Sequence, residues 1–140
     1  MEIRKARVAD ADALTDLLTQ LGYPGTQEFV REKIVALNHH PDAELMIAAE
    51  DNAVLGFISI HFIPQIALVG DFARISYLCV DEGARGRGIG GLLLSYAERL
   101  AAERNCDRIE VHSHYRRARA HEFYERRSFE ESPRYLIKMV

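Results

Sequence analysis

The stretch that decides the fold is Arg85-Gly86-Arg87-Gly88-Ile89-Gly90-Gly91. It lies between an apolar, β-rich segment, Phe72–Val80, and a segment with helical spacing of apolar residues, 89–104. Glycines permit positive φ angles and let backbone N–H groups approach a ligand closely, because no Cβ intervenes. The unsatisfied N–H groups and the positive dipole end of the following helix then point to the same place. The stretch therefore predicts a strand-turn-helix unit that binds phosphate oxygens.

Two arginines add positive charge to this turn. Arg85 and Arg87 supply charge-assisted hydrogen-bond donors for an anion. A tight strand-to-helix turn without a ligand needs only one or two glycines and no arginine. We therefore favour phosphate binding by the whole stretch 85–91.

A nicotinamide dinucleotide site is a minor alternative for the same glycines. Gly86, Gly88 and Gly91 satisfy the spacing GxGxxG, and Glu110 follows about 20 residues later, where a ribose-binding acid belongs. However, a hairpin rather than a βαβ unit precedes the turn, and five residues, 81–85, separate the strand from the motif. Only 49 residues follow Gly91, too few for a doubly wound sheet. A Walker A loop is excluded because the turn contains no Gly-Lys-Ser/Thr.

The rest of the chain predicts a mixed α/β domain. Alternating or apolar β-rich runs predict strands at 2–8, 44–50, 54–63, Phe72–Val80, 108–113 and, as one or two strands, 129–140. Helical spacing and end signals predict helices at 11–21, 26–38, 89–104 and 117–127. The order β-α-α-β-β-β-α-β-α-β indicates an antiparallel first half and a βαβ-like second half, in a single domain over 1–140.

Composition and charge limit the classes of function. The 140 residues are 48% hydrophobic and carry a net charge of −3, which is typical of a globular domain. No apolar run approaches the ~20 residues that span a bilayer, and the start of the chain lacks an apolar signal region. We expect a cytoplasmic protein with no membrane contact. Cys79 and Cys106 are its only cysteines and offer no metal-ligand spacing, so we expect no metal.

Charge is distributed unevenly along the chain. Residues 1–80 contain six Lys or Arg and eleven Asp or Glu, whereas residues 81–140 contain twelve and ten. A locally basic second half in a net acidic chain suits a small polyanion better than a long nucleic acid. We therefore expect no nucleic-acid partner and rank binding through the basic helix at 117–127 last.

Two motifs together resemble the signatures of the GCN5-related N-acetyltransferase superfamily. Its pattern Arg/Gln-x-x-Gly-x-Gly/Ala is matched by residues 85–90, followed by Leu92-Leu93-Leu94. Its second pattern, Ala-x-x-Phe-Tyr-Glu followed by Gly-Phe, corresponds to residues 120–125 and then Ser128-Phe129. The form Ala-His-x-Phe-Tyr, with Arg117 three residues earlier, resembles a small bacterial branch similar to aminoglycoside acetyltransferases. Serine in place of the glycine raises the alternative of another backbone conformation at that turn.

The resemblance implies transfer of an acetyl group from acetyl-coenzyme A to a primary amine of a small molecule or peptide, by direct attack in a ternary complex. It implies that the backbone of Leu78-Cys79-Val80 pairs with the pantetheine arm, while the amides of 86–91 and Arg85 hold the pyrophosphate. Tyr124 would reach the thioester sulfur and act as the acid. Arg117 stands where many relatives carry asparagine, and a position near the 3′-phosphate is an alternative for it. A homodimer through the C-terminal strands is also implied.

The general base is not fixed by the sequence. Many relatives place a glutamate on the strand before the glycine turn, but residues 74–77 contain no carboxylate. His61 and His114 are candidates by residue type, and we favour a water relay. Cys79 lies in an apolar strand without an adjacent base, so we interpret it as a packing residue.

The acceptor and an alternative function stay open. We expect the acceptor pocket between the first two helices and the loop 64–70, and the acidic surplus of residues 1–80 favours a cationic acceptor such as a polyamine, an aminoglycoside or lysine. A non-catalytic acetyl-coenzyme A sensor or partner-binding module on the same fold would bind the cofactor without turnover.

Overall fold

The computed structural model describes residues 1–112, 118–131 and 136–140. These form two compact units, Met1–Glu110 and Val111–Val140, and each is described by itself. Among the residues singled out in the sequence, His114 and Arg117 lie outside the described part, as does the end of the strand predicted at 108–113.

Five strands form one sheet in the order β1-β2-β3-β4-β5. They are β1 (Glu2–Lys5), β2 (Ala43–Glu50), β3 (Ala53–Ile63), β4 (Phe72–Val80) and β5 (Arg108–Val111). Strands β1 to β4 pair antiparallel. The predicted hairpin turn between β2 and β3 is confirmed: Asp51 and Asn52 have φ angles of 50° and 67°, as a type I′ turn requires.

Strand β5 lies beside the first half of β4. The N–H of Asp107 donates to the carbonyl of Asp71 at 2.8 Å, and three residues further along both strands Arg74 donates to Glu110 at 3.0 Å. Since the two contacts advance together, the strands run in the same direction, as in a βαβ unit. The predicted antiparallel first half and βαβ-like second half are therefore confirmed.

The described residues form four α-helices: α1 (Ala11–Leu21), α2 (Val30–His39) and α3 (Ile89–Glu103) in the first unit and α4 (Ala118–Arg126) in the second. Helix α1 ends at Gly22, which has the left-handed conformation expected of a glycine at a helix end, φ 108°. The second predicted helix is divided, because Phe29 has φ −138° and ψ −4° and breaks the helical path. A 3₁₀ turn at Thr26–Glu28 precedes it, and α2 begins only at Val30.

Helices cover both faces of the sheet. On one face, α1 and α2 bury a cluster that includes Leu14, Leu17 and Ile34 against Phe57 of β3. The neighbouring residue, Gly56, faces α3 instead, since a Cβ there would lie 3.3 Å from a methyl group of Leu93. The mixed α/β class predicted from the sequence is confirmed as a three-layer arrangement.

The end of the chain differs from the prediction of one or two strands at 129–140. Residues 129–131 and 136–140 have no regular secondary structure. Leu136 and Ile137 are 85% and 76% exposed, so the described residues supply neither the burial nor the ladder that stabilises a strand. Within the described part, no helix combines the length and apolar character that crossing a membrane requires.

Candidate functional site

The glycine turn begins where β4 ends and is attached to the end of α1. The side-chain amide of Gln20 donates to the Asp81 carboxylate at 2.8 Å and accepts from the N–H of Glu82 at 3.0 Å. The other oxygen of Asp81 accepts from the N–H of Gly83 at 3.1 Å. The turn is therefore held in place from two sides before the glycines begin.

Gly86 and Gly88 need the conformational freedom of glycine. Both are left-handed, with φ angles of 85° and 80°. A Cβ added at either position would meet no atom within 4 Å, so crowding by the protein is not the reason for glycine. The backbone path requires glycine, and the space above it is open to a ligand.

The backbone N–H groups of this turn are free to bind an anion. Gly88 is the N-cap of α3 and has no side-chain cap. No residue in the described part accepts a hydrogen bond from the N–H groups of 85–91, and the first donor with a partner is Leu92, bonded to Gly88 O at 3.1 Å. The side chain of Ile89 is buried, so this residue offers only its backbone. The turn thus has the form of an anion-binding helix terminus.

The two arginines of the turn differ in their contacts. Arg87 donates to the carboxylate of Glu50 at the end of β2, and this hydrogen bond lowers the pKa of Glu50 below its ordinary value. Among the described residues Arg85 has no ion-pair partner. Because Glu50 stays ionised and offsets the charge of Arg87, Arg85 carries the positive charge available to an anion.

Strand β4 has an open edge just before the turn. The N–H of Asp81 donates to the carbonyl of Leu55 on β3 at 2.8 Å. Backbone groups alternate in direction along a strand, so those of Cys79 also face β3. The N–H and C=O groups of Leu78 and Val80 therefore point to the opposite edge of β4. No described residue pairs with those two backbones. Such an edge accepts an extended ligand as an added strand.

Cys79 has the packing role predicted for it. Its side chain is buried, and its thiol contacts the carbonyl of Leu17 at 3.4 Å. Since the backbone of Cys79 faces β3, the groups of the segment 78–80 that point to the open edge are those of Leu78 and Val80.

A second polar cluster lies on β3 and β4, on the sheet face covered elsewhere by α1 and α2. The register shift between these strands makes Ser76 an extra residue on β4. Its hydroxyl donates to the carbonyl of Ser59 at 3.2 Å and lies 3.1 Å from Nε2 of His61. In the tautomer that leaves the Ser76 hydroxyl proton in its bond to Ser59, Nε2 of His61 is the donor in that contact and Nδ1 carries the lone pair.

The environment of His61 keeps its ring neutral near pH 7. Burial lowers the pKa of His61, and the nearby positive charges of His40 and Arg74 lower it further. A neutral imidazole with a free lone pair is a proton acceptor. His61 was a candidate by residue type alone, and the contact with Ser76 is what the structure adds.

Arg74 is the direct partner of His61 across β3 and β4. Its NH2 group donates to one oxygen of Glu110 at 3.0 Å, and Arg108 binds the other oxygen at 2.7 Å. Burial acts to raise the pKa of Glu110, but the hydrogen bonds from both arginines lower it overall. Glu110 is thus an ion-pair residue, which removes the main support for the ribose-binding role in the dinucleotide alternative.

Sequence reasoning did not single out Arg74 or Ser76 as functional residues. A signal was present, because a guanidinium and a hydroxyl interrupt the otherwise apolar strand Phe72–Val80. Their alignment with His61 depends on the cross-strand register, which periodicity does not reveal.

The second signature motif lies in the unit Val111–Val140. Tyr124 packs edge-on against Phe123 and Phe129, with ring centroids 5.2 Å and 5.4 Å apart. The N–H of Phe129 bonds to Tyr124 O at 3.0 Å and that of Ser128 to Glu125 O at 3.1 Å, which is a Schellman motif. Ser128 has φ 67°, which is the left-handed conformation that glycine favours at this position of the motif, so the alternative conformation is not adopted.

A metal site was not expected from the sequence. In the part of the chain that the structure describes, no three His, Cys, Asp or Glu side chains are grouped so as to hold an ion.

Comparison with known proteins places the chain in a family. Residues 11–129 match the model of the Acetyltransferase (GNAT) family, so the chain belongs to that family and the resemblance inferred from its two motifs is confirmed. Aminoalkylphosphonate N-acetyltransferase of Salmonella typhimurium is 29% identical over 133 residues, covering 94% of this chain and 86% of that protein.

Solved structures show the same fold. A transcriptional regulator from Bacillus halodurans C-125 superposes with a TM-score of 0.90 at 23% identity, with 99% of each chain covered. A GNAT family acetyltransferase from Staphylococcus aureus superposes with a TM-score of 0.82 at 19% identity, with 99% of this chain and 98% of that one covered. The comparison with solved structures therefore also confirms the predicted fold class.

Proposed function

We propose that this protein transfers the acetyl group of acetyl-coenzyme A to a primary amine of a small molecule or peptide, by direct attack in a ternary complex. The observation that carries the proposal is the turn 85–91. Its N–H groups have no acceptor in the described part, Gly86 and Gly88 open the space above it, and Arg85 adds charge. Family membership supports acetyl transfer as the chemistry.

The cofactor would lie along β4 and the turn. The diphosphate would accept hydrogen bonds from the amides of 86–91, with Arg85 and Arg87 as additional donors. The pantetheine arm would pair with Leu78 and Val80 at the open edge. Arg117 is proposed to lie near the 3′-phosphate. The family match crosses both compact units, which supports one N-acetyltransferase domain over 1–140.

The reaction requires the acceptor ammonium to lose two protons and the departing thiolate to gain one. An ammonium with a pKa of about 10.4 costs roughly 4–5 kcal/mol to deprotonate at pH 7, at about 1.36 kcal/mol per unit. The free amine then attacks the thioester carbonyl, and an outward-facing amide of Leu78 or Val80 would stabilise the oxyanion. As the C–S bond breaks, the thiolate takes a proton from the Tyr124 phenol, and the second proton leaves the attacking nitrogen and restores the phenol, so the products are the amide and the free thiol.

Thiol release with acetyl-coenzyme A and a panel of primary amines tests the enzymatic proposal, with calorimetry of the cofactor alone as the companion measurement. We expect binding and amine-dependent release of free thiol. Tyr124→Phe should lower kcat on the order of 100-fold, because the general acid is lost, while acetyl-coenzyme A affinity is kept. Binding without release for any amine would instead support the sensor alternative. No binding would contradict the assignment of the turn.

A small amine acceptor is favoured by one relative. The Salmonella protein is named for aminoalkylphosphonates, and this chain covers 86% of its length. Location in the cytoplasm and assembly as a homodimer stay predictions.

A further inference from the structure

The arginines that share Glu110 are not equivalent. Arg108 is fully engaged: Nε and NH2 bind the same oxygen of Glu110, NH1 donates to Gln65 at 2.9 Å, and the guanidinium lies 4.3 Å from the centroid of the Phe72 ring. The Arg74 guanidinium also lies over the Phe72 ring, 5.5 Å from its centroid, but it has a described acceptor only for NH2. Its Nε is buried without a partner among the described residues, while the side chain as a whole is 37% exposed.

The cluster keeps an unbalanced positive charge. Both oxygens of Glu110 are already bound, and its lowered pKa keeps it ionised. Two arginines and one carboxylate leave one positive charge, and the spare donors for it belong to Arg74. Planar guanidinium donors bind carboxylate and phosphate-type oxygens strongly.

A proton acceptor stands directly across from this charge. His61 and Arg74 are cross-strand partners, so their Cβ atoms are about 5 Å apart. Ser76 is the hydrogen-bond partner of Nε2 of His61. It lies two residues before Leu78, and two residues span roughly 7 Å along a strand. The sheet face that carries these residues therefore places an anion-binding group, Arg74, and a base, His61, next to the part of β4 that has the open edge.

We propose that this face binds the acceptor, that the acceptor carries a carboxylate, phosphate or phosphonate near its amine, and that Arg74 holds this anion while Nδ1 of His61 receives the amine proton. The proposal rests on the proposed function, since it concerns the acceptor of the same reaction.

The hydrogen bonds of His61 fit a base that changes charge. In the proposed tautomer, Nε2–H donates to Ser76 and Ser76 donates to Ser59, which leaves the lone pair on Nδ1. When the amine proton moves to Nδ1, the bond to Ser76 stays intact because Nε2 remains a donor. The charged or titratable groups acting on the ring are His40 and Arg74. An anion bound to Arg74 would offset its repulsion and make His61 a stronger base.

Matched acceptors test the anion site. 3-Aminopropylphosphonate, 3-aminopropanoate, propylamine and 1,3-diaminopropane share a short alkylamine and differ in the second group. We expect kcat/KM for the two anionic amines to exceed that for propylamine at least tenfold. Arg74→Gln should bring the ratio near one, with Arg74→Lys in between, while acetyl-coenzyme A affinity persists.

Arg108→Gln is the comparison variant, because it also removes a partner of Glu110 and one positive charge but no spare donor. It should keep more of the preference for anionic amines than Arg74→Gln, because the donors of Arg74 remain. A preference for the diamine, or an unchanged preference in Arg74→Gln, would overturn this inference and leave the proposed function standing. Thiol release from none of the amines would contradict the proposed function itself.

The role of His61 is tested separately, by kinetics and by the pH profile of kcat. His61→Gln keeps a donor for Ser76 but offers no base, so kcat should fall on the order of 100-fold with cofactor affinity unchanged. The acidic limb of the kcat–pH profile should disappear, because Gln has no titratable ring nitrogen. Ser76→Ala, which alters only the positioning of the ring, should reduce kcat less and shift that limb. An unchanged limb in His61→Gln would overturn the assignment of the base.

Discussion

Two arginine–carboxylate ion pairs in this protein have similar chemistry but differ in how many of their hydrogen-bonding groups are satisfied. At the amino-terminal corner, Arg4 binds both oxygens of Asp10 at 2.8 Å and 2.9 Å, and the N–H of Arg7 adds a third bond at 2.7 Å. The side chains of Arg4 and Asp10 are only 15% and 8% exposed. At the β4–β5 border, Arg74 uses a single donor group on Glu110, and those side chains are 37% and 26% exposed.

The comparison separates a structural ion pair from a site. The hydrogen-bonding groups of Arg4 and Asp10 are satisfied within the protein, and this pair fixes the path of the chain from β1 into α1. The Arg74–Glu110 pair leaves donors over, and it lies beside a neutral histidine and an open strand edge. Unused hydrogen-bonding capacity, rather than the presence of charge, is what indicates a ligand.

The largest effect on stability is expected for Asp10→Ala. Removing one partner of a buried ion pair leaves the other uncompensated, so the free energy of unfolding should fall by about 3 kcal/mol. Urea denaturation measures this change. Asp12→Ala is a matched control, because that side chain is 94% exposed and its change should stay within about 0.5 kcal/mol. Equal effects of the two variants would break the comparison.

A smaller effect on stability is expected for Glu110→Gln. The pair with Arg74 is partly exposed to water, so its loss should cost less than about 1 kcal/mol in the same urea experiment. Function should change in the opposite direction: Arg74 is released, and KM for anionic amines should fall. A loss of stability as large as that of Asp10→Ala would mean that both pairs are structural.

Acid titration gives a third test of the amino-terminal corner. Burial acts to raise the pKa of Asp10, but the hydrogen bonds from Arg4 and Arg7 lower it below its ordinary 3.8. A carboxyl with a depressed native pKa contributes stability above its unfolded pKa and loses it as pH falls through the native pKa. The stability difference between the wild type and Asp10→Asn should therefore be full at pH 6 and shrink below about pH 4. A difference that stays constant down to pH 2 would contradict this role.

The smallest effect is expected outside both regions, at Ser128. Its φ of 67° is strained for serine but not for glycine, so Ser128→Gly should raise the free energy of unfolding by about 0.5–1 kcal/mol. Ser128→Ala, which keeps the strain, should show no such gain. The pair of variants gives the size of a purely conformational effect in this chain, against which the two ion pairs can be judged.

Local signals predicted most of the fold. The bounds of β4 were predicted as Phe72–Val80, and the start of α3 at Ile89 followed from the glycines before it. Both depend on neighbours within a few residues, which a sequence pattern records directly. The break at Phe29 depends on tertiary burial, as does the lack of regular structure in the described residues 129–131 and 136–140, so periodicity predicted neither.

The candidate site was predicted only where it is continuous in sequence. The turn 85–91 is one segment, and its glycines and arginines are visible together. The contacts of His61 with Ser76, of Arg74 with Glu110 and of Arg87 with Glu50 join residues 15 to 37 positions apart. A single bulge sets the register of the first contact, and no spacing rule in the sequence specifies it.

The central claim is that the backbone amides of 86–91 bind the diphosphate of acetyl-coenzyme A. Amide ¹H–¹⁵N spectra of the labelled protein, titrated with acetyl-coenzyme A and with S-acetylpantetheine, test it directly, because the second ligand has the thioester and the arm but no diphosphate. We predict that the amide signals of 86–91 shift with acetyl-coenzyme A and not with S-acetylpantetheine. Saturation with acetyl-coenzyme A that leaves those amide signals unmoved would contradict the account.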